Sequence, residues 1–239
     1  MQRNEIEKLF KNGLIVSCQM EKHAPCYSED MVELMAKAAI WGGACALRIE
    51  GIDNVKNIKE KFEIPVIGLV KIYRNDTEVF MTPSMKEVDE LVNAKADIIA
   101  IDGTDRLIDG HKAFEIIPEI KRKYPNVLIL ADIRDENDAA IVKEMGVDFA
   151  APTFYRFKKD AKSTDLPDWE MFSKMCNICK DKCYVLMEGK IWTADDAIKA
   201  LYYGALAVVV GSAITRPHLI TRRFYDHING FKEKRSLFY

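Results

Sequence analysis

Residues 207–217, AVVVGSAITRP, set four apolar residues against Gly211 and Ser212, with Arg216 and Pro217 just behind. A run this apolar, with no polar residue alternating through it, reads as a strand covered on both faces, as in a parallel sheet. Proline suits the first turn of a helix, so a new element is expected to start at Arg216-Pro217. The stretch is therefore one strand–loop–helix unit.

Working back toward the N-terminus, the same unit recurs. Apolar runs occupy residues 14–19 (LIVSCQ), 44–49 (ACALRI), 66–71 (VIGLVK) and 96–102 (ADIIAID). They continue at 128–133 (LILADI), 148–153 (DFAAPT), 183–189 (CYVLMEG) and 205–212 (ALAVVVGS). Between and after them, residues 28–41, 54–62, 84–95, 111–124, 136–145, 169–179, 193–203 and 217–231 have helical spacing of apolar side chains. In the first of these, Met31, Leu34, Met35 and Ala38 are expected to form the inner face, with Ser28 as N-cap. Gly146, Gly204 and Pro125 stand where helices should stop. Strand–helix repeated eight times predicts a single (β/α)8 TIM barrel spanning residues 1–239, with an extra N-terminal helix at 2–11 closing its bottom. A doubly wound open sheet would more often use fewer strands and a glycine-rich first turn, whereas the first turn here is SCQMEKHAPC. No linker interrupts the pattern. The longest irregular piece, residues 154–168 (FYRFKKDAKSTDLPD), is expected to be a lid or substrate loop.

Composition narrows the function. The chain has 239 residues, 49% of them hydrophobic, and a formal charge of −2. Neither a basic excess for nucleic acid nor an acidic tail is present. No apolar run approaches the roughly 18 residues of a membrane span, and the charged N-terminus lacks a secretory core. The six cysteines, Cys18, Cys26, Cys45, Cys176, Cys179 and Cys183, are then expected to be free thiols in the cytoplasm. The CNICKDKC cluster at 176–183 reads as a helix end and strand start rather than a zinc site, which needs four ligands.

In such barrels chemistry sits on the loops after the strand C-termini. Those ends read Gln19, Arg48 with Glu50, Lys71, Asp102, Asp132, Thr153, Glu188 and Gly211-Ser212. Any one polar end simply marks where water begins, but so many together predict a site. After the seventh and eighth strands, Gly189-Lys190 and Gly211-Ser212 offer backbone for close approach to an anion, and Arg216 adds a planar cation. A phosphorylated small molecule is the expected ligand. Lys71 and Glu188 end strands on opposite sides of an eight-stranded ring. A lysine among apolar walls has its neutral form favoured and can act as a base, with the carboxyl moving a second proton. Asp132 is placed to hold the lysine or meet a hydroxyl. This suits proton abstraction beside a carbonyl. A lysine Schiff base and a purely structural ion pair of Lys71 with Glu188 or Asp132 are the competing readings.

The segments GLIVSCQ (13–19), PVIGLVK (65–71), MTPSMKEVDELV (81–92), LADI (130–133), EGKI (188–191) and VVVGSAITRP (208–217) together resemble the bacterial N-acetylmannosamine-6-phosphate 2-epimerases, in order and in spacing, over almost the whole chain. The resemblance implies cofactor-free, metal-free inversion at C2 of an open-chain amino sugar phosphate, a step in sialic acid breakdown. It implies Lys71 and Glu188 as catalytic residues, and Gln19, Arg48, Asp132 and Arg216 as the substrate-contacting set. Gly189, Lys190, Gly211 and Ser212 fall in the phosphate loops, and a homodimer is implied. The final segment, residues 219–239, mixes aromatics with a basic stripe and ends in Phe238-Tyr239; it is expected either to pack on its own barrel or to meet a second subunit. The chain departs from the family pattern at Ile49-Glu50-Gly51, Asp102-Gly103-Thr104, Phe154-Tyr155-Arg156-Phe157 and Met187-Glu188-Gly189-Lys190, mostly on the sugar side of the expected site. Rival functions are a Schiff-base aldolase, a metal-dependent pentose-phosphate epimerase, or a non-catalytic sugar-phosphate sensor. The metal-dependent rival is disfavoured because His23, His111, His218 and His227 all fall in predicted loops or helices.

Overall fold

The apolar runs become strands because each is buried on both faces. β1 is Gly13–Cys18, β2 Ala46–Glu50, β3 Val66–Leu69 and β4 Ile98–Asp102; β5 is Leu128–Asp132, β6 Phe149–Ala151, β7 Tyr184–Glu188 and β8 Ala207–Val210. A computed structural model describes residues 3–20, 24–28, 30–74, 78–158 and 166–236. Each strand pairs in parallel with its successor, and β1 pairs with β8 from Gly13↔Ala207 to Val16↔Val210, which closes the barrel. The doubly wound alternative is excluded by that closure. No helix among the described residues is long and apolar enough to cross a membrane.

The helices are α1 Arg3–Phe10, α2 Met31–Trp41, α3 Ile52–Lys61, α4 Met85–Asn93 and α5 Ile117–Lys123. They continue as α6 Glu136–Glu144, α7 Trp169–Cys179, α8 Ala194–Tyr202, the single turn α9 Ser212–Thr215 and α10 Pro217–Ser236. Alternation along the strands makes two cores. Ile15, Ala46, Ile67, Ala100, Leu130, Leu186 and Val209 point into the barrel. Val16, Leu47, Val66, Ile99, Ile129 and Val208 point outward to the helices. The expected N-terminal helix plugs the bottom: Ile6 and Phe10 join the inner core, and the Phe10 ring lies 5.8 Å from that of Phe149. Residues 1 and 2, where that helix was expected to start, lie outside the described residues.

Three local expectations need correction. First, α2 begins at Met31, with Asp30 rather than Ser28 in the N-cap position and no side-chain cap bond from it; the Ser28 carbonyl accepts from the Met31 amide at 3.1 Å. Its buried face is Val32, Ala36 and Ala39, with Met31 and Met35 packed against the core as expected, and Leu34 is exposed. Two alanines let the helix lie close to the sheet, so small size outranked hydrophobicity in setting the face. Second, residues 111–124 are not one helix. Leu107–Ile108 and His111–Lys112 form a short antiparallel pair around Asp109-Gly110, followed by the 3-10 turn Ala113–Ile116 and only then α5. Pro118 sits in the first turn of α5, where its missing N–H costs nothing, so the α-helix proper starts there. Third, Lys71 does not end β3. The strand stops at Leu69, and Lys71–Tyr73 pairs antiparallel with Val79–Met81 in a hairpin rising from the barrel rim. Thr82 fastens its base: its amide donates to the Val70 carbonyl at 2.7 Å, and its hydroxyl accepts from the Val70 amide at 3.1 Å.

Candidate active site

A cavity of about 740 Å³ opens at the C-terminal end of the barrel, walled by the ends of β1, β2, β7 and β8, the hairpin after β3 and the turn after β6. Gln19, Arg48, Lys71, Glu188, Gly189, Lys190, Gly211, Ser212 and Arg216 all line it. Period-two alternation explains the hairpin's share: Lys71, Tyr73, Val79 and Met81 face the cavity, and Phe80 turns away.

At its heart is a buried arginine. Arg48 is 0% exposed; its Nη1 and Nη2 donate to the two carboxylate oxygens of Asp132, at 3.0 and 2.6 Å. Nη1 also donates to Glu188 Oε2 at 2.6 Å, while Nε has no hydrogen-bond partner among the described residues. Burial alone disfavours the guanidinium charge, yet the two carboxylates outweigh it and raise its proton affinity. The fork geometry is the one arginine offers and lysine does not. Asp132 does not reach the cavity as expected for a substrate contact. It is fully buried, held by Arg48 on one side and by the Thr153 hydroxyl, which donates to Oδ1, on the other. The charge of Lys71 acts on Glu188 and lowers its proton affinity.

Glu188 sits between opposing influences. Burial pushes its pKa up to about 7, and the like charge of Asp132 adds to that, against Arg48, Thr153 and Lys71, which lower it. A carboxyl that titrates near neutrality can both give and take a proton at working pH.

Lys190, two residues past Glu188, and Arg216 add cations to the cavity lining. Gly189 has φ +101° and Lys190 φ +57°, so the turn after β7 places two successive residues in the left-handed region. Glycine tolerates this, whereas lysine does so at a cost of about 1–2 kcal/mol, the sort of strain that persists where a site over-determines the backbone. The Lys190 ammonium lies 4.7 Å from the centroid of the Tyr155 ring. Gly211 has a negative φ, so its lack of a side chain reflects crowding: a Cβ there would stand 3.3 Å from Ser17 Cβ. Thr215, at the end of α9, ties this turn to β1 by donating to the Ser17 carbonyl at 2.9 Å. Gln19 is held by the neighbouring serine, its Nε2 donating to Ser17 Oγ at 2.8 Å.

Sequence reasoning passed over several lining residues: Ser17, Tyr73, Glu78 and Trp192. Thr153 was read as a strand end, and period-two alternation within β1 would have shown that Ser17 shares a face with Gln19. Trp192 carries the guanidinium of Arg223, from α10, 4.7 Å above its ring. His23, Phe238 and Tyr239, and the middle of the loop expected to close on substrate (159–165), lie outside the described residues. Among the described residues no group of three or more His, Cys, Asp or Glu side chains is placed to hold a metal, and none of the six cysteines is in a disulfide.

A closed parallel barrel with a lysine, a near-neutral carboxyl and a cationic rim at its C-terminal mouth defines a phosphosugar-type barrel enzyme. Comparison with known proteins narrows the class. The family model described as "Putative N-acetylmannosamine-6-phosphate epimerase" matches residues 32–230, and the chain belongs to that family. A relative from Caldanaerobacter subterraneus subsp. tengcongensis, named "Putative N-acetylmannosamine-6-phosphate 2-epimerase", is 42% identical over 236 residues, covering 98% of this chain and 97% of its own. One of the same name from Borrelia garinii subsp. bavariensis is 40% identical over 229 residues, with 95% and 98% covered. A solved structure of the N-acetylmannosamine-6-phosphate 2-epimerase from Clostridium perfringens superposes with a TM-score of 0.84 at 35% identity, covering 92% of this chain and 95% of that one.

Proposed function

We propose that the chain, acting as one barrel unit, converts N-acetylmannosamine 6-phosphate into N-acetylglucosamine 6-phosphate by removing and returning the C2 proton of the open-chain sugar. The observation that carries this is the meeting of Lys71 and Glu188 over one cavity that Lys190, Arg216 and the turns at Gly189 and Gly211-Ser212 also line. Those groups would hold the phosphate, through backbone amides and cations that match its charge. Lys71 takes the proton from C2 as the C1 carbonyl becomes an enediolate. Glu188, its proton affinity raised by burial, gives a proton to the developing oxyanion or back to the carbon from the other face. Arg48 and Asp132 position Glu188 and adjust its proton affinity rather than touch the reacting carbon. The mechanism asks for no cofactor.

The test is incubation with N-acetylmannosamine 6-phosphate in deuterium oxide, with C2 followed by NMR. The wild-type protein is expected to produce the epimer with deuterium at C2. Lys71→Ala is expected to keep the fold and to lose exchange; full exchange in that variant would remove Lys71 from the mechanism.

The cytoplasm is the expected compartment, in keeping with six cysteines outside any disulfide. A homodimer is proposed as the working form. Its support is the face of α10, where Phe224, Ile228 and Phe231, at helical spacing, are 67%, 54% and 64% exposed.

A further inference from the structure

Arg106, just past β4, lies behind the cavity wall and outside the machinery described so far. Its guanidinium carbon sits 4.6 Å from the centroid of the Phe80 ring, 4.5 Å from that of Phe154 and 4.5 Å from that of Phe157. Its Nη2 donates to the Val79 carbonyl at 2.9 Å and to the Asp102 carboxylate at the end of β4. Its Nε donates to Thr104 Oγ1 at 3.2 Å, and Thr104 in turn donates through its hydroxyl to Asp102 at 2.7 Å. Nη1 is buried with no hydrogen-bond partner among the described residues, so ring faces take the place of part of its solvation. One planar cation thus joins three separate segments: the hairpin after β3, through Phe80 and Val79; the end of β4; and the turn after β6, through Phe154 and Phe157.

The hairpin is the element that presents Lys71. Lys71 pairs with Met81 and Tyr73 with Val79, so the strand that Arg106 grips is the one against which Lys71 is registered. At its base the hairpin is anchored by Thr82. Away from the base, Arg106 adds a buried polar contact to the packing of Val79 and Met81 in the inner core, and the Arg74–Asp109 pair is solvent-exposed. We infer that Arg106 is a positioning residue for catalysis: it locks the Lys71 hairpin against the β6 turn and thereby fixes the lysine opposite Glu188. The inference rests on the reading in which Lys71 moves the C2 proton. Arg106 itself touches neither the cavity nor the substrate, so its removal should disturb turnover more than binding.

Three variants test this. Arg106→Lys keeps a cation beside Asp102 but loses the planar fork and the stacking face; Arg106→Ala removes both. Arg74→Ala breaks only the exposed pair on the same hairpin. For Arg106→Lys, kcat is expected to fall about ten- to hundred-fold with KM changed less than about three-fold, the pattern of a misplaced catalytic group. Amide exchange in the hairpin, followed by mass spectrometry, is expected to quicken about ten-fold in the same variant, while the barrel strands keep their protection. Arg74→Ala should match the wild type in kcat. If Arg106→Ala does not fold, Arg106→Lys decides. Unchanged hairpin exchange in folded Arg106→Lys would overturn the inference, as would wild-type kcat or a loss confined to KM. A wild-type protein with no turnover would instead sink the functional reading, and the exchange measurement would still judge the positioning claim.

Discussion

Glu188 shows at the scale of one residue how burial sets chemistry. Its pKa lies raised, at about 7, because burial outweighs Arg48 and Lys71. The folded protein therefore holds this proton more tightly than the unfolded chain does. The stability it contributes is complete below the ordinary glutamate value and is lost as pH rises through about 7. Glu188→Gln keeps the shape without the titration, so its melting temperature should fall less than the wild type's between about pH 5 and 8. The same variant should lower kcat about 10²–10⁴-fold and erase any limb of the pH–rate profile near 7 that belongs to this group. Arg48 makes the complementary case. Arg48→Met would leave Asp132 and Glu188 facing each other without their cation, and breaking a buried pair this way costs about 3–5 kcal/mol. A fall in the midpoint of urea unfolding with unchanged slope would show it.

Between elements, fit decides more than composition. Gly103, after β4, stands where a Cβ would come within 2.8 Å of Ala131 Cβ and 2.8 Å of Ile133 Cγ2. With Ile133 as neighbour, Gly103→Ala should destabilise by about 1–3 kcal/mol, measurable by thermal melting. The same distinction separates what could be read in the sequence from what could not. The eight barrel strands were legible because both faces of each are covered, which leaves an unbroken apolar signature. The polar residues just past them pointed to the cavity for the same reason. The hairpin was not legible: its arms are three residues long, KIY and VFM, and the first continues the apolar run of β3 without a break. The face of α2 was only partly legible: Met31 and Met35 do pack on the core, but Ala36 and Ala39 carry little hydrophobic signal while sharing that packing. The pairing of Arg48 with Asp132 and Glu188 and the aromatic surroundings of Arg106 unite residues from distant loops, and no local spacing announces them.

For the molecule as a whole, α10 is the element least explained by its own barrel. Its exposed aromatics sit on a basic helix, and water is a poor environment for so much apolar surface. If a second copy covers them, Phe224→Glu with Ile228→Glu should halve the mass seen by light scattering and leave the barrel folded. The stack of Arg223 on Trp192 then takes on meaning, since one ring wets the substrate chamber and the other partner rides on the helix that would meet a neighbour. Specific activity is accordingly expected to decline when the protein is diluted below its dimer dissociation constant, and to recover on concentration.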